Sequence, residues 1–310
     1  MKRLGLYFSG TGNSAFCVTQ FIRELDGQYR ICSLEDVNAK ELIKEADEII
    51  VGYPIYYSNI PMFIKDFVTQ NSDLWKQKKI FLIATMGLFS GDGSGCLARL
   101  LKKHGGIILG GIHLKMPDCM IDVAILKKND LEEQRLIDKA VLKIKQSAQL
   151  YKNSTPPQQG LHFFSHMLGL FGQRLWFLKK TSSYQDAPKI NDKKCIKCKV
   201  CINVCPMHNL STAIDGSIIN SSQCTLCYRC VHTCPKQAIT ILGKKVIHSP
   251  SSLLKSNDNN QKKIVKQVFM FTLSSFRLEY RYRFVRCLSP ISVFITILVI
   301  CPYFDISTQP

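Results

Sequence analysis

One run of cysteines occurs twice in this 310-residue chain. Cys195-Ile196-Lys197-Cys198-Lys199-Val200-Cys201-Ile202-Asn203-Val204-Cys205-Pro206 returns further along as Cys224-Thr225-Leu226-Cys227-Tyr228-Arg229-Cys230-Val231-His232-Thr233-Cys234-Pro235. Eight of the chain's 14 cysteines are used here, so they are a local binding device and not a disulfide framework spread over the chain. In C-x2-C-x2-C-x3-C-P spacing, three thiolates in a tight loop reach three irons of one 4Fe–4S cubane. The fourth starts a helical turn that leads away to the other cubane. The expected ligand sets are therefore Cys195, Cys198, Cys201 and Cys234 for one cluster, and Cys224, Cys227, Cys230 and Cys205 for the second. Zinc is the alternative. It usually pairs two CxxC knuckles over a longer gap, whereas each run here carries three cysteines at x2 spacing and then a fourth. Ala213-Ile214 and Ala238-Ile239 extend the repeat, slightly displaced from its offset.

Charge divides the chain. Residues 1–150 hold 20 Lys+Arg against 17 Asp+Glu, residues 151–250 hold 13 against 3, and residues 251–310 hold 8 against 3. The total of +18 falls to about +14 if two clusters each bring about −2 with their thiolates. The first half is thus an ordinary soluble domain, and the excess lies around the cysteines and in the tail. Two readings of the basic face stay open: steering of an acidic redox carrier to a cluster, or a solvated lysine surface. The basic residues show no aromatic interleaving and no helix-turn-helix context, so nucleic acid is not an expected partner.

Short apolar runs alternate with amphipathic ones through the first half of the chain. Strands are expected at 3–8, 29–32, 48–52, 80–85 and 106–113, and helices at 15–25, 39–46, 61–70, 96–104 and 131–152. Alternation of this kind gives a parallel sheet covered on both faces. Five strands in about 150 residues suit an α/β, doubly wound, flavodoxin-like sheet.

Phe8-Ser9-Gly10-Thr11-Gly12-Asn13-Ser14 joins the first strand to the first helix. A helix N-terminus offers backbone N–H groups to an anion, and Ser9, Thr11, Asn13 and Ser14 add side-chain donors suited to a terminal phosphate. The segment also matches G-x-G-x-x-A, with Glu35 or Asp36 at a plausible distance for a ribose, so a dinucleotide is the competing ligand. Two later loops, around Pro54-Ile55-Tyr56-Tyr57 and Thr85-Met86-Gly87 with Phe89, follow the third and fourth strands. All three meet beyond the strand carboxyl ends, where such sheets bind ligands.

The phosphate loop resembles that of flavodoxins, and the cysteine repeat resembles dicluster ferredoxin domains. Together they resemble the flavodoxin–ferredoxin fusion proteins of anaerobes over residues 1–248, Met116-Pro117-Asp118 included. The resemblance implies FMN held by Ser9, Gly10, Thr11, Gly12, Asn13, Ser14, Pro54, Ile55, Tyr56, Tyr57, Thr85, Met86, Gly87 and Phe89, and two 4Fe–4S clusters in a small α+β domain. One of Tyr53, Tyr56, Tyr57 and Phe89 would stack on the ring. The expected role is electron transfer between FMN, the clusters and a redox protein partner such as an acidic ferredoxin or flavodoxin. No catalytic acid–base group stands out. The alternatives are a flavin-dependent reductase of a small organic acceptor, such as a quinone or nitro compound, and an iron–sulfur regulatory or scaffold protein.

The expected division is 1–152 for the flavin domain, 153–187 for a linker and docking helix, 188–248 for the cluster domain and 249–310 for a tail. Within the second segment, the apolar residues of 161–180 (Phe163, Phe164, Leu168, Phe171, Leu175, Trp176 and Phe177) are expected to dock one domain on the other. His162, His166, Gln173 and Arg174 interrupt any membrane span there. No secretory signal opens the sequence, so a cytoplasmic location with reduced thiols is expected. The uncharged run from Leu288 to Phe304 follows four arginines and is the one candidate for a membrane contact; a disordered or docked extension is the other reading. Cys17, Cys32, Cys96 and Cys119 are expected as small apolar packing residues.

Overall fold

Ile49, Ile50, Val51, Ile80, Phe81, Leu82 and Ile83 are all shielded from solvent, as continuous apolar runs must be when they form central strands covered on both faces. The computed structural model describes residues 1–126, 128–175, 177, 184 and 186–247. The tail 249–310, with its candidate membrane run, and Trp176 lie outside the described residues. Among those described, no helix is long and apolar enough to cross a membrane.

The chain runs β1 (Arg3–Tyr7), α1 (Asn13–Arg23), β2 (Tyr29–Ser33), α2 (Ala39–Glu45), β3 (Glu48–Pro54), α3 (Met62–Gln70), β4 (Lys79–Met86), α4 (Gly93–Lys103), β5 (Ile107–Lys115) and α5 (Asp130–Lys152). The five strands form one sheet of order β2-β1-β3-β4-β5, parallel at every pairing. Alternation with period two splits the strand residues between two cores. Leu4, Leu6, Ile49, Val51, Ile80 and Leu82 face one core. Ile50, Phe81, Ile83 and Ile112 face the other, where they meet Cys17, Val18, Phe21 and Ile22 of α1 and Ile137, Ala140 and Ile144 of α5. On α1 those four residues recur at i, i+1, i+4 and i+5, a single helical stripe. A capping box fixes the start of α5: Asn129 accepts from the Glu132 N–H and the Glu132 carboxylate accepts from the Asn129 N–H. The chain order reverses between β1 and β3, so the loops after these two strands flank the switch-point crevice.

Residues 153–160, expected as a free linker, instead run beside β5. Gly111 N–H donates to the Pro157 carbonyl and Gln159 N–H donates to the Gly111 carbonyl. The Gln158 side chain donates to the Leu109 carbonyl at 2.8 Å.

The segment after it forms α6 (Phe163–Gly169) and one π-helical turn, Leu170–Arg174. Through these residues its docking face is polar, where an apolar one was expected, while Phe177 further on meets Tyr57 edge-on with ring centroids 5.2 Å apart. His166 Nδ1 lies 3.1 Å from Asp92 Oδ2, Arg174 pairs with Asp92 Oδ1, and Arg174 Nε donates to the Ser58 carbonyl at 3.1 Å. Gly169 is required at this contact, since a Cβ there would collide with the Asp92 carboxylate. Phe163 and Phe164 stay 70% and 84% exposed. The reason is electrostatic: Asp92 is fully buried, and a buried carboxylate needs cationic partners more than the helix needs apolar cover. Burial alone would raise the Asp92 pKa. Hydrogen bonds from Arg99 and His166, with the Arg174 charge, hold it below the usual carboxylate value.

The last described part holds two short ladders, β6 (Lys189–Ile190) with β9 (Ile239–Thr240) and β7 (Leu210–Thr212) with β8 (Ile218–Asn220), both antiparallel. Two short helices, α7 (Val200–Asn203) and α8 (Arg229–Thr233), each contain the third cysteine of a run. Both parts lie within one compact unit, Met1–Asn257.

The fold carries a pH-dependent contact at β5. The His113 ring accepts from the Ser94 N–H at 3.1 Å and lies 2.9 Å from Ser94 Oγ. Burial, then the nearby Lys143 charge, lowers its pKa to about 4. The unfolded chain, with histidine near its ordinary value, therefore takes up the proton first as pH falls. Stability should be full above about pH 6.5, decline between about 6.5 and 4, and level below that, by about 3 kcal/mol at most. Anaerobic urea melts of the full chain at pH 7 and pH 5 check this. The pH 5 deficit should shrink in His113→Gln, and an unchanged deficit would assign it elsewhere.

Candidate functional site

The three predicted loops converge on one cavity. Ser9, Gly10, Thr11, Asn13 and Ser14 come from the β1–α1 loop and first turn, Pro54 to Ser58 from the end of β3 and its loop, and Thr85 to Phe89 from the end of β4 and its loop. Every residue expected at FMN lines this cavity except Gly12. Gly12 is the N-cap of α1, and its φ of 94° is left-handed backbone that glycine adopts without strain. It turns the chain so that α1 points its N-terminus at the cavity. The Phe16 N–H is the first to close on Gly12, and the earlier amides of the first turn have no helical partner.

The side chains are partly committed. Ser14 Oγ lies 2.8 Å from Thr85 Oγ1, tying the first turn to β4, and both residues are buried. Asn13 Nδ2 donates to the Pro117 carbonyl at 2.8 Å, while Asn13 Oδ1 and Tyr57 Oη are buried with no hydrogen-bond partner among the described residues. Two orphaned polar atoms on the wall of a cavity carry a desolvation cost that a polar ligand removes. Tyr57 and Ser58 both have positive φ, 50° and 60°, in a tight turn where Tyr56 and Asn59 exchange both backbone hydrogen bonds. Two non-glycine residues held left-handed store strain, and such strain gathers at ligand sites. Tyr53 is not a ring partner. It is fully buried in the core and its hydroxyl donates to the Gly93 carbonyl at 2.7 Å.

Met116, Pro117, Asp118, Cys119 and Met120 also line the cavity, as do Phe177, Leu226 and Tyr228. Leu226 and Tyr228 flank Cys227, so the second cysteine loop forms part of the cavity wall. Gly10 permits this approach, because a Cβ there would strike the Cys227 carbonyl and come within 2.7 Å of Tyr56 Oη. Glu35, one of the two acids expected for a dinucleotide ribose, is taken. Arg229 holds it bidentately at 2.6 and 2.7 Å, and the same guanidinium donates to the Ser9 carbonyl at 2.8 Å. On the opposite side, Asp122 is buried. It accepts from the Tyr228 hydroxyl at 2.9 Å and from the N–H groups of Ile241, Leu242 and Gly243 at 2.7, 3.0 and 3.0 Å. Burial, followed by the Asp122 charge, raises the Tyr228 phenol.

The eight cysteines fall into two separate pockets. Cys195, Cys198, Cys201 and Cys234 line one. Cys205, Cys224, Cys227 and Cys230 line the other. These are the crossed sets expected from spacing, and the walls between the thiols are mainly apolar. Among the described residues, no three His, Cys, Asp or Glu side chains gather tightly enough to hold a single metal ion. The backbone repeats faithfully. Lys197 and Leu226, before the middle cysteine of each run, have φ of 57° and 59°, and Lys199 and Tyr228, after it, have 61° and 60°. His208 and Gln237 have φ of 49° and 48°. The next residues, Asn209 and Ala238, each donate N–H to a cysteine sulfur at 3.3 Å, Cys205 and Cys234 respectively. The partner of Ala238-Ile239 is therefore Asn209-Leu210, at the same offset as the cysteines, and not Ala213-Ile214. Left-handed turns wind the chain around each pocket, and N–H···S bonds of this kind tune a cluster's potential.

Family comparison matches residues 4–95 to a flavodoxin domain and residues 187–235 to a 4Fe-4S dicluster domain. The chain thus carries a flavodoxin domain followed by a 4Fe–4S dicluster domain, the order of a flavodoxin–ferredoxin fusion. Solved structures similar to its flavodoxin part include oxidised flavodoxin 2 from Bacillus cereus, at 17% identity over 49% of this chain and 99% of that chain, TM-score 0.37. Two-electron reduced flavodoxin from Megasphaera elsdenii matches at 21% over 46% and 99%, TM-score 0.34. Rubredoxin oxygen:oxidoreductase from Desulfovibrio gigas matches at 17% over 48% and 36%, TM-score 0.32. No curated protein matches the chain. The flavodoxin and 4Fe–4S domains support an electron-transfer role that uses FMN and iron–sulfur chemistry.

One of the four cysteines expected as packing residues differs from that expectation. Cys17 and Cys32 are core, and Cys119 packs against the core of the cysteine-rich part while lining the cavity. Cys96 instead lies beside Asp92 and Arg174, where burial and then the Asp92 charge raise its thiol to about 11.

Proposed function

We propose that residues 1–152 hold one FMN and residues 188–248 hold two 4Fe–4S clusters, with electrons passing between them in a fixed order. The observation that carries this is the shared wall: Tyr228 lines both the flavin cavity and the pocket of Cys205, Cys224, Cys227 and Cys230. That cluster stands beside the flavin, and the other stands beyond it.

Bound FMN exchanges electrons one or two at a time, and the clusters pass them singly. The protein's own residues do the rest. The α1 N-terminus with Thr11 and Ser9 receives the phosphate. Tyr56, Tyr57 and Phe89 give apolar walls for the ring, and Asn13 Oδ1 offers an acceptor. Gly10, Arg229 and Asp122 hold the cluster loop against the flavin side, which fixes the separation between the redox centres.

Anaerobic purification with iron, sulfide and flavin analysis tests the reading. About eight irons, eight sulfides and one noncovalent FMN per chain are expected. Thr11→Ala with Ser9→Ala should weaken flavin binding by one to several orders of magnitude, at roughly 1–3 kcal/mol per charge-assisted bond, with iron unchanged. Zinc without sulfide, or released NAD, overturns it. Rapid turnover of a quinone or nitro compound without any protein carrier would favour the reductase.

A further inference from the structure

The two cysteine pockets meet solvent very differently. Cys227 and Cys230 are buried, and Leu226 and Tyr228 beside them pack under the flavodoxin part. Around the other pocket, residues 191–194 and 196–199 are all exposed. Cys198 is the one exposed thiol of the eight, and its neighbour Ile196 is 55% exposed. This pocket shares no lining residue with the flavin cavity.

The charge around Cys198 is one-sided. Lys193, Lys194, Lys197, Lys199 and Lys236 are exposed, and Lys199 and Lys236 line the pocket itself. Among the described residues, none of the five forms an ion pair. Residues 187–247 contain only two acids, Asp192 and Asp215. The Asp215 carboxylate is occupied by the Ser217 N–H and hydroxyl, at 2.9 and 2.6 Å. Lys197 reaches the Asp215 backbone carbonyl and not its carboxylate.

We propose that this face is the docking port for an acidic one-electron carrier protein, and that electrons enter or leave the chain through the cluster bound by Cys198. The proposal rests on the electron-transfer reading above and adds to it the place and the chemistry of the partner. Two features favour a redox protein over other polyanions. The centre of the patch is a cluster ligand with an exposed apolar neighbour, and the lysines stand round it as a rim. An apolar centre with a charged rim is the anatomy of a protein interface, with the rim setting encounter rate and orientation. A polyanion without a redox group would cover the exposed cluster and gain nothing from its position.

The test uses the anaerobic full chain with both cofactors, mixed by stopped flow with a dithionite-reduced acidic ferredoxin freed of excess dithionite. Reduced methyl viologen, a small cation, serves as the second donor. The rate with ferredoxin should fall about tenfold or more between low and roughly 0.3 M salt. Lys193→Glu, Lys197→Glu and Lys199→Glu together should lower it about tenfold or more at low salt, with the methyl viologen rate kept or raised. Lys244→Glu with Lys245→Glu, on exposed residues outside the rim, should leave the ferredoxin rate within about twofold. If the rim reversal leaves the ferredoxin rate and its salt dependence intact, or if the Lys244/Lys245 reversal lowers the rate as much, the port is not here. Should the milder Lys197→Gln and Lys199→Gln pair be needed because the triple variant loses iron, it must still slow ferredoxin more than methyl viologen, or the proposal fails. If methyl viologen reduces the clusters of the unaltered chain but never its flavin, it is the electron-transfer reading that fails and not the port.

Discussion

Replacing Cys205 by alanine should remove about four of about eight irons, and combining it with a second alanine should reveal which four. Cys205 lies in the first cysteine run but lines the pocket of the second. Cys205→Ala with Cys227→Ala should therefore hold as much iron as Cys205→Ala alone, because both strip the same pocket. Cys205→Ala with Cys198→Ala should hold almost none. If each run instead served its own cluster, the outcomes would exchange: the Cys205/Cys198 pair would keep half the iron and the Cys205/Cys227 pair would lose all. Iron and sulfide analysis of these variants decides between the two wirings. The Cys205 variant should also cut the flavin off from the outer cluster while leaving FMN bound, since the cluster it removes stands between them.

The second large effect is expected at Asp122. Its carboxylate accepts one phenol and three consecutive backbone N–H groups, so Asp122→Ala leaves four donors buried without an acceptor. Unmet buried donors cost about 1–3 kcal/mol each, though neighbours relax, and breaking such a site typically costs about 3–5 kcal/mol in all. For a chain of this size that is a fall in Tm of roughly 10 °C. Asp122→Asn keeps one acceptor and should fall between. Anaerobic thermal melts followed by circular dichroism check this. A loss below about 1 kcal/mol for the alanine variant would mean that Asp122 does not clamp the two parts together.

Much of this was legible in the sequence because its signals are local. Strand runs such as Ile80–Ala84 and the stripe of α1 depend on close neighbours in the chain, and the cysteine spacing encodes a distance that backbone geometry enforces. What escaped was nonlocal or concerned which of two faces wins. Nothing near Ser9 announces that Cys227 will pack on Gly10, because the partners come from opposite halves of the sequence. The segment 161–180 reads as an apolar docking helix, yet the buried Asp92 claims its polar side. Two fainter signals were present. Residues 187–247 contain eight lysines and one arginine, and the planar guanidinium suits a bidentate carboxylate pair in a way that lysine does not; that arginine is Arg229. Asp122 is a lone acid between Ile121 and Val123, and an acid in apolar company is one that must be satisfied when buried.

The pairing of residues 157–159 with β5 bears on how this protein meets copies of itself. A five-stranded open sheet has two rims where backbone groups could recruit a foreign strand. One rim is β5, and there the returning chain already occupies Gly111 on both its donor and acceptor sides. Strand-on-strand growth is left only to β2, which is short and carries the exposed Arg30. A short rim bearing a cation is a poor template for continuous sheets. The segment that joins the two halves thus also guards this rim of the flavodoxin part against aggregation.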